Sequence, residues 1–301
     1  MMCGLIFTDT HIQNARKNKK RTPHQAAWEQ LLSSSRAGDA WQQVQWDAWR
    51  YQFNADLRAG EQGILTFQNL PLPDHLPTLF IALQAYAMLQ SHPAFQPSDW
   101  LTQCRQQLDQ QDAPSDIVDH LWYAVIQTAI GVITSDDTCI QYGVDTLKHT
   151  VDKSIHPEGY LPAAVKTGPE SVALQRQIQS VQALILIAEM CEHIGINLWQ
   201  YNNRGVSIMT AATYPLYYYF YPEKWQWNGE EWKPSDGIDE ATAKRIFQTH
   251  AGFLELVRRH YTPPLKAIQM MLDDLRPIYD PFCGGFVTLS HAEAKRRMLF
   301  I

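Results

Sequence analysis

The 301-residue sequence has no apolar run that approaches the ~18 residues of a membrane span, so no span and a soluble protein are expected. Glycine (15) and proline (17) are sparse, which excludes a collagenous chain, and a 45% hydrophobic share excludes a wholly disordered one. Cysteine is scarce and scattered, at Cys3, Cys104, Cys139, Cys191 and Cys283. With no CxxC and no Cys/His pair at ligand spacing, a disulfide framework or structural zinc is not expected, and the cysteines read as small buried hydrophobes. Neither G-x-G-x-x-G nor G-x-x-x-x-G-K-[ST] occurs, so nothing cradles a nucleotide phosphate. The opening Met1-Met2-Cys3-Gly4-Leu5-Ile6-Phe7 lacks a basic n-region, so the sequence as it stands reads as cytoplasmic.

Charge is unevenly placed. The net charge is −6, yet Arg16-Lys17-Asn18-Lys19-Lys20-Arg21 holds five of the 25 basic residues. The other 20 face 31 acidic residues, a net of −11, and an acidic body argues against nucleic-acid binding. The basic stretch itself reads as a solvated face. Aromatics are plentiful, with 10 Trp and 13 Tyr, and flat rings suit sugar faces as well as cores.

Helical periodicity runs almost throughout. Leu79, Leu83, Tyr86 and Leu89 share one face of a segment over 76–89. A second helix is predicted from about Ser115 to Thr134, with Ser115 or Asp116 as N-cap. A third starts near 135–137 and carries Ile140, Val144, Leu147 and Val151. A fourth spans 171–193 and stops at Gly195, with further helices at 206–219, 238–260 and 264–274. No alternating stretch insists on a sheet, so the chain is all-α. Two connections stand out: the turn-rich 154–169 and the aromatic 221–229. Scaffold helices often display function on such loops.

Four ordered stretches over 115–230 resemble the alginate lyase family, bacterial polysaccharide lyases. They are Trp122-Tyr123, Glu158-Gly159-Tyr160-Leu161-Pro162, the run Gln182–Glu189 followed by Gly195-Ile196-Asn197-Leu198-Trp199, and Gly205-Val206-Ser207-Ile208 with Pro222-Glu223-Lys224-Trp225. Arg276–Gly285 is similar to the family's C-terminal pattern, while residues 1–70 match loosely. The resemblance implies one domain over 1–301, a toroid of antiparallel helical hairpins (an incomplete α/α barrel). It further implies a lyase acting on an acidic, uronate-containing polysaccharide, no cofactor, and a periplasmic or secreted setting.

The family's chemistry is β-elimination: a cation neutralises the uronate carboxylate, a base takes the C5 proton, and an acid assists the O4 leaving group. Where the family carries Asn-Asn-His, an ungapped reading places Ile117, Val118 and Asp119. His120 is displaced by one residue, ~100° on a helix. The family's Tyr falls at Arg176 and its Arg at Pro169, unless the longer loop brings Lys166 there. The expected catalytic set is therefore His120 as base, Arg176 as carboxylate clamp and Tyr160 as acid, with Asp119, Trp122, Tyr123, Lys166 and Trp225 lining the substrate. Two alternatives stay open. One is a glycan-binding relative that lost the chemistry; the other is a glycoside hydrolase using two of Glu158, Glu170 and Asp119.

Overall fold

The computed structural model describes residues 4–33, 38–96, 99–110, 112–227, 237–263 and 265–294. The chain is 67% helical, and no strand forms among the described residues beyond isolated bridges at Asn203–Val206 and Asp280–Gly285. In chain order the helices are α1 (Asp9–Asn18), α2 (His24–Leu32), α3 (Ala40–Asn54), α4 (Leu57–Gln68), α5 (Leu76–Leu89), α6 (Trp100–Asp109), α7 (Ile117–Thr134) and α8 (Asp137–His149). A π-turn at Thr150–Ser154 leads into α9 (Pro162–Val165) and α10 (Glu170–His193). Then follow α11 (Ile208–Thr213), α12 (Leu216–Phe220), α13 (Glu240–His250), α14 (Gly252–Arg258), α15 (Lys266–Leu275) and α16 (Val287–His291).

Sequence explains the alternation of layers. α5 and the C-terminal half of α10 are apolar on nearly every side and are buried that way, whereas α4, α6 and α8 bury one stripe. The mostly buried helices α3, α5, α7 and α10 pack side by side in that order, and α14, α16, α1 and α2 continue the circuit back to α3. The result is a toroid of helical hairpins. Three aspartates start the helices that matter most: Asp39, Asp116 and Asp136 each accept hydrogen bonds from backbone N–H groups in the first turns of α3, α7 and α8.

One expectation needs correcting. α7 is by length and composition apolar enough to cross a membrane, with a mean hydropathy of 1.3 over 18 residues. It is nevertheless 67% buried inside the protein, as a core helix of the ring. The Trp41, Trp46 and Trp49 stripe of α3 is also core, packed against Phe67, Phe286 and Phe53 respectively.

The centre of the ring is filled by the C-terminal turn at 280–286. Gln45 donates to the Pro281 carbonyl (3.0 Å), Trp49 and Gln84 to that of Gly284 (2.9 and 2.7 Å), and Gln182 to the Asp280 carboxylate (2.7 Å). The turn needs Gly284 and Gly285 at φ +95° and +104°, a conformation other residues adopt only with strain. Burial pushes the Asp280 carboxyl up to about 7, against N–H donors from Gly252, Cys283, Phe282 and Gln182 that favour its charge. The expected aromatic loop at 221–229 runs out of the described residues at 228–229, and Cys3 also lies outside them.

Candidate active site

Asp116 organises one end of the ring. Its Oδ1 accepts from the backbone N–H groups of Val118 (3.0 Å) and Asp119 (3.3 Å), which caps α7. Its Oδ2 is thereby left for Arg176, whose Nη2 lies 2.6 Å away on the first turns of α10. Both helices therefore begin at the same end. Burial alone would raise the Asp116 carboxyl, but the Arg176 and backbone donors outweigh it and hold the group below the usual range. The Arg176 Nε donates to the Ala164 carbonyl at the end of α9 (3.3 Å), while no group among the described residues pairs with Nη1.

The next residue, Gln177, is buried and holds the long loop. Its Oε1 accepts from the Leu161 N–H (2.9 Å) and its Nε2 donates to the Gly159 carbonyl (3.1 Å). Gly159 sits at φ +105°, and a Cβ there would run into the Thr210 carbonyl and Tyr214, so no side chain fits. These two clamps present Tyr160 between them. Its ring stacks on His156 (4.4 Å between centroids, 21°) and adjoins Trp227 (4.6 Å) and Tyr214 (5.5 Å). Burial, then the Glu158 charge, then Tyr214 push the Tyr160 phenol above its ordinary value. The Tyr214 oxygen accepts from Trp227 Nε1 (2.7 Å) and from the Tyr218 hydroxyl (3.1 Å).

The structure thus brings Arg176 and the Tyr160 loop onto one stretch of α10. The other expected residues are placed differently. His120 lies one turn beyond Asp116, and its ring neighbours Tyr142 of α8 (6.3 Å), with no hydrogen bond to Arg176 or Tyr160. Asp119 is exposed on the first turn of α7, and Lys166 is exposed just after α9. Tyr123 is buried, accepts from Gln127 (3.0 Å), and lines a cavity of about 720 Å³ between α6, α7 and α8. That cavity carries Asp109, Asp137 and Asp145 against Arg105 alone, so it disfavours an anionic sugar. Trp122 and Trp225 are each 1% exposed, packed on Phe80 and Tyr218, and present no face to a ligand.

Sequence reasoning missed His156, Gln177, Tyr214 and Trp227. His156 lay within the loop already singled out, but nothing in the sequence joined it to Tyr214 across more than fifty positions. A second polar cluster lies deeper. Glu189, Glu192 and His260 bring ligand atoms within 4.8 Å of one another, as a metal site would. The Arg259 guanidinium already bridges Glu189 (2.8 Å) and Glu192 and donates to His260 Nε2 (3.1 Å), which supplies the positive charge there.

A profile of the alginate lyases matches residues 52–225, more than half the chain. The chain belongs to the alginate lyase family. Against curated protein sequences nothing matches. Among solved structures, an alginate lyase from Bacteroides ovatus aligns with 97% of this chain and 100% of its own, at 13% identity and a TM-score of 0.69. A histidine-to-alanine variant of alginate lyase A1-III complexed with a tetrasaccharide covers 88% of this chain and 82% of its own (17% identity, TM-score 0.63). Alginate lyase A1-III from Sphingomonas species A1 covers 85% and 76% (18%, 0.61). At these identities the likeness speaks for the toroid. Family and fold together support a polysaccharide lyase-like function, and relatives bind oligosaccharide, as the tetrasaccharide complex shows.

Proposed function

We propose that this alginate lyase family member cleaves an acidic, uronate-containing polysaccharide by β-elimination at the ring end formed by Arg176 and the 156–169 loop. The observation that carries the reading is Arg176 itself. Its guanidinium is fixed on two sides by Asp116 and the Ala164 carbonyl, and its Nη1 stays unpaired among the described residues. Such a group suits a planar carboxylate.

Neutralising the carboxylate acidifies the C5–H bond. A base takes that proton, the electron pair forms the C4–C5 double bond, and the O4 bond breaks as the leaving oxygen gains a proton. The stacked His156 and Tyr160 supply an imidazole to accept the first proton and a phenol to give the second, and the His156 Nδ1 takes that proton by giving up its contact with the Glu158 N–H (3.3 Å). His156 takes the base role that sequence reasoning gave to His120, because the His120 ring adjoins Tyr142 instead.

A second reading, a binding relative without catalysis, is favoured by one observation. Val118 and Asp119 stand at two of the family's Asn-Asn-His positions, and Val118 is buried. Incubation with a panel of uronate polymers, following the ultraviolet absorbance of the unsaturated product, separates the two. The lyase reading expects product from the wild type and loss of product in Arg176→Ala and His156→Ala. Polymer binding with no chromophore in the wild type establishes the binding relative instead.

A further inference from the structure

The three consecutive tyrosines of α12 point different ways. Tyr218 and Tyr219 are buried, but Tyr217 is 51% exposed, as is Tyr221 one turn later. These two rings lie 5.0 Å apart at 33°, forming one open aromatic surface. The other large exposed hydrophobics among the described residues are aliphatic: Leu32, Leu57, Leu65, Val172, Ile194, Leu265 and Met270.

The two exposed rings join the aromatic cluster of the site already described through the buried Tyr218. Ring contacts run from His156 to Tyr160, Tyr214 and Tyr218 and then to Tyr217, at centroid spacings of 4.4 to 5.5 Å. Its backbone is held firmly. Pro215 precedes α12, Pro222 follows Tyr221, and Ile238 donates to the Pro222 carbonyl (3.0 Å). Neither exposed phenol has a hydrogen-bond partner among the described residues, so each hydroxyl is free to meet a ligand.

Two rigid, half-exposed tyrosines with open hydroxyls suit a ligand that has an apolar face edged by hydroxyl groups. A pyranose ring is such a ligand. A body carrying net −11 outside its basic stretch gains little from long-range attraction to a polyanion. Uncharged stacking is then the available way to hold a chain beyond Arg176.

We propose that Tyr217 and Tyr221 form an outlying sugar-stacking subsite that engages residues of an acidic polysaccharide flanking the unit held at Arg176. This rests on the reading of the ring end given above. It makes the protein a polymer-directed one, which gains affinity as the chain grows long enough to reach α12.

Calorimetry with uronate oligosaccharides of increasing length, from dimer to polymer, tests it. In wild type, affinity rises with length and the increment persists at high salt. In Tyr217→Ala/Tyr221→Ala the dimer binds as before while polymer affinity falls about tenfold, the scale of two aromatic contacts. Tyr217→Phe/Tyr221→Phe keeps most of the increment. Both rings are half exposed, so circular dichroism of the double alanine variant should match wild type. An unchanged length increment in the alanine variant, with binding still lost in Arg176→Ala, overturns the subsite and leaves the ring-end reading standing. A wild type that binds neither dimer nor polymer overturns both.

Discussion

Arg176 places its Nη2 2.6 Å from the Oδ2 of Asp116, so the residue that caps α7 also restrains the cation expected to clamp the uronate carboxylate. The two roles are separable. Asparagine caps a helix about as well as aspartate, so Asp116→Asn keeps the N-cap and removes the competing charge. Uronate affinity should then rise by up to about fivefold, matching the ~0.2–1 kcal/mol of a partly exposed ion pair. Arg176→Ala should weaken binding at least roughly tenfold, and Arg176→Lys should restore only part of it. Titration calorimetry at low salt checks both. Unchanged affinity in the alanine variant would remove Arg176 from the site.

A second expectation concerns acid. Burial drives His250 down to about 4. His260 also falls to about 4, through burial and then Arg259, and His11 to about 3, through burial and then His291. Each stays neutral in the folded protein at a pH where the unfolded chain has bound a proton. The unfolded state therefore holds more protons between roughly pH 6.5 and 4, and stability rises with pH across that window. What these residues allow is intact above about 6.5 and is lost as pH falls toward 4. Urea midpoints measured from pH 8 to 4 should decline, and His250→Gln should flatten the decline. A flat wild-type profile would refute the assignment.

Much of the fold was legible in the sequence because the inner helices are long runs rich in apolar residues, with the Asp116 cap at the start of α7 and Pro169 and Gly195 bounding α10. The expected helices at 76–89, 115–134 and 171–193 match α5, α7 and α10 to within two residues at each end. Longer predicted helices broke where tertiary contacts intervened. Pro215 divides 206–219 into α11 and α12. The stretch 238–260 splits at Ala251, where Gly252 packs against Asp280 and Cys283 with no room for a Cβ. The site was less legible for a different reason. Arg176 was visible by its register, but Asp116 meets it across sixty positions, and no local pattern encodes that pairing. Trp122 and Trp225 show the converse: rings chosen as sugar platforms were worth more as core.

The last expectation tests what ties the chain ends to the ring. Glu189 is wholly buried on α10, with Oε2 2.8 Å from Arg259 Nη2 and Oε1 3.1 and 3.5 Å from the Nε2 atoms of His193 and His291. Burial would raise its carboxyl, but the His193 and His291 contacts and the Arg259 charge outweigh that and hold it far below the usual range. His193 Nδ1 lies 3.3 Å from the Leu5 carbonyl, and His291 ends α16, so one carboxylate joins both terminal segments to α10. Removing one member of such a set strands a charge in the core. Arg259→Met alone should cost about 3–5 kcal/mol, because Glu189 stays ionised in the core without its cation, whereas Glu189→Leu alone should cost less, because the partly exposed Arg259 keeps Glu192. Replacing both with apolar groups strands neither charge, so the double variant should recover most of the loss, well short of the sum. Urea titrations of the two single variants and the double variant give the coupling directly. Additive losses would mean that Glu189 and Arg259 are stabilised by their other partners and do not depend on each other.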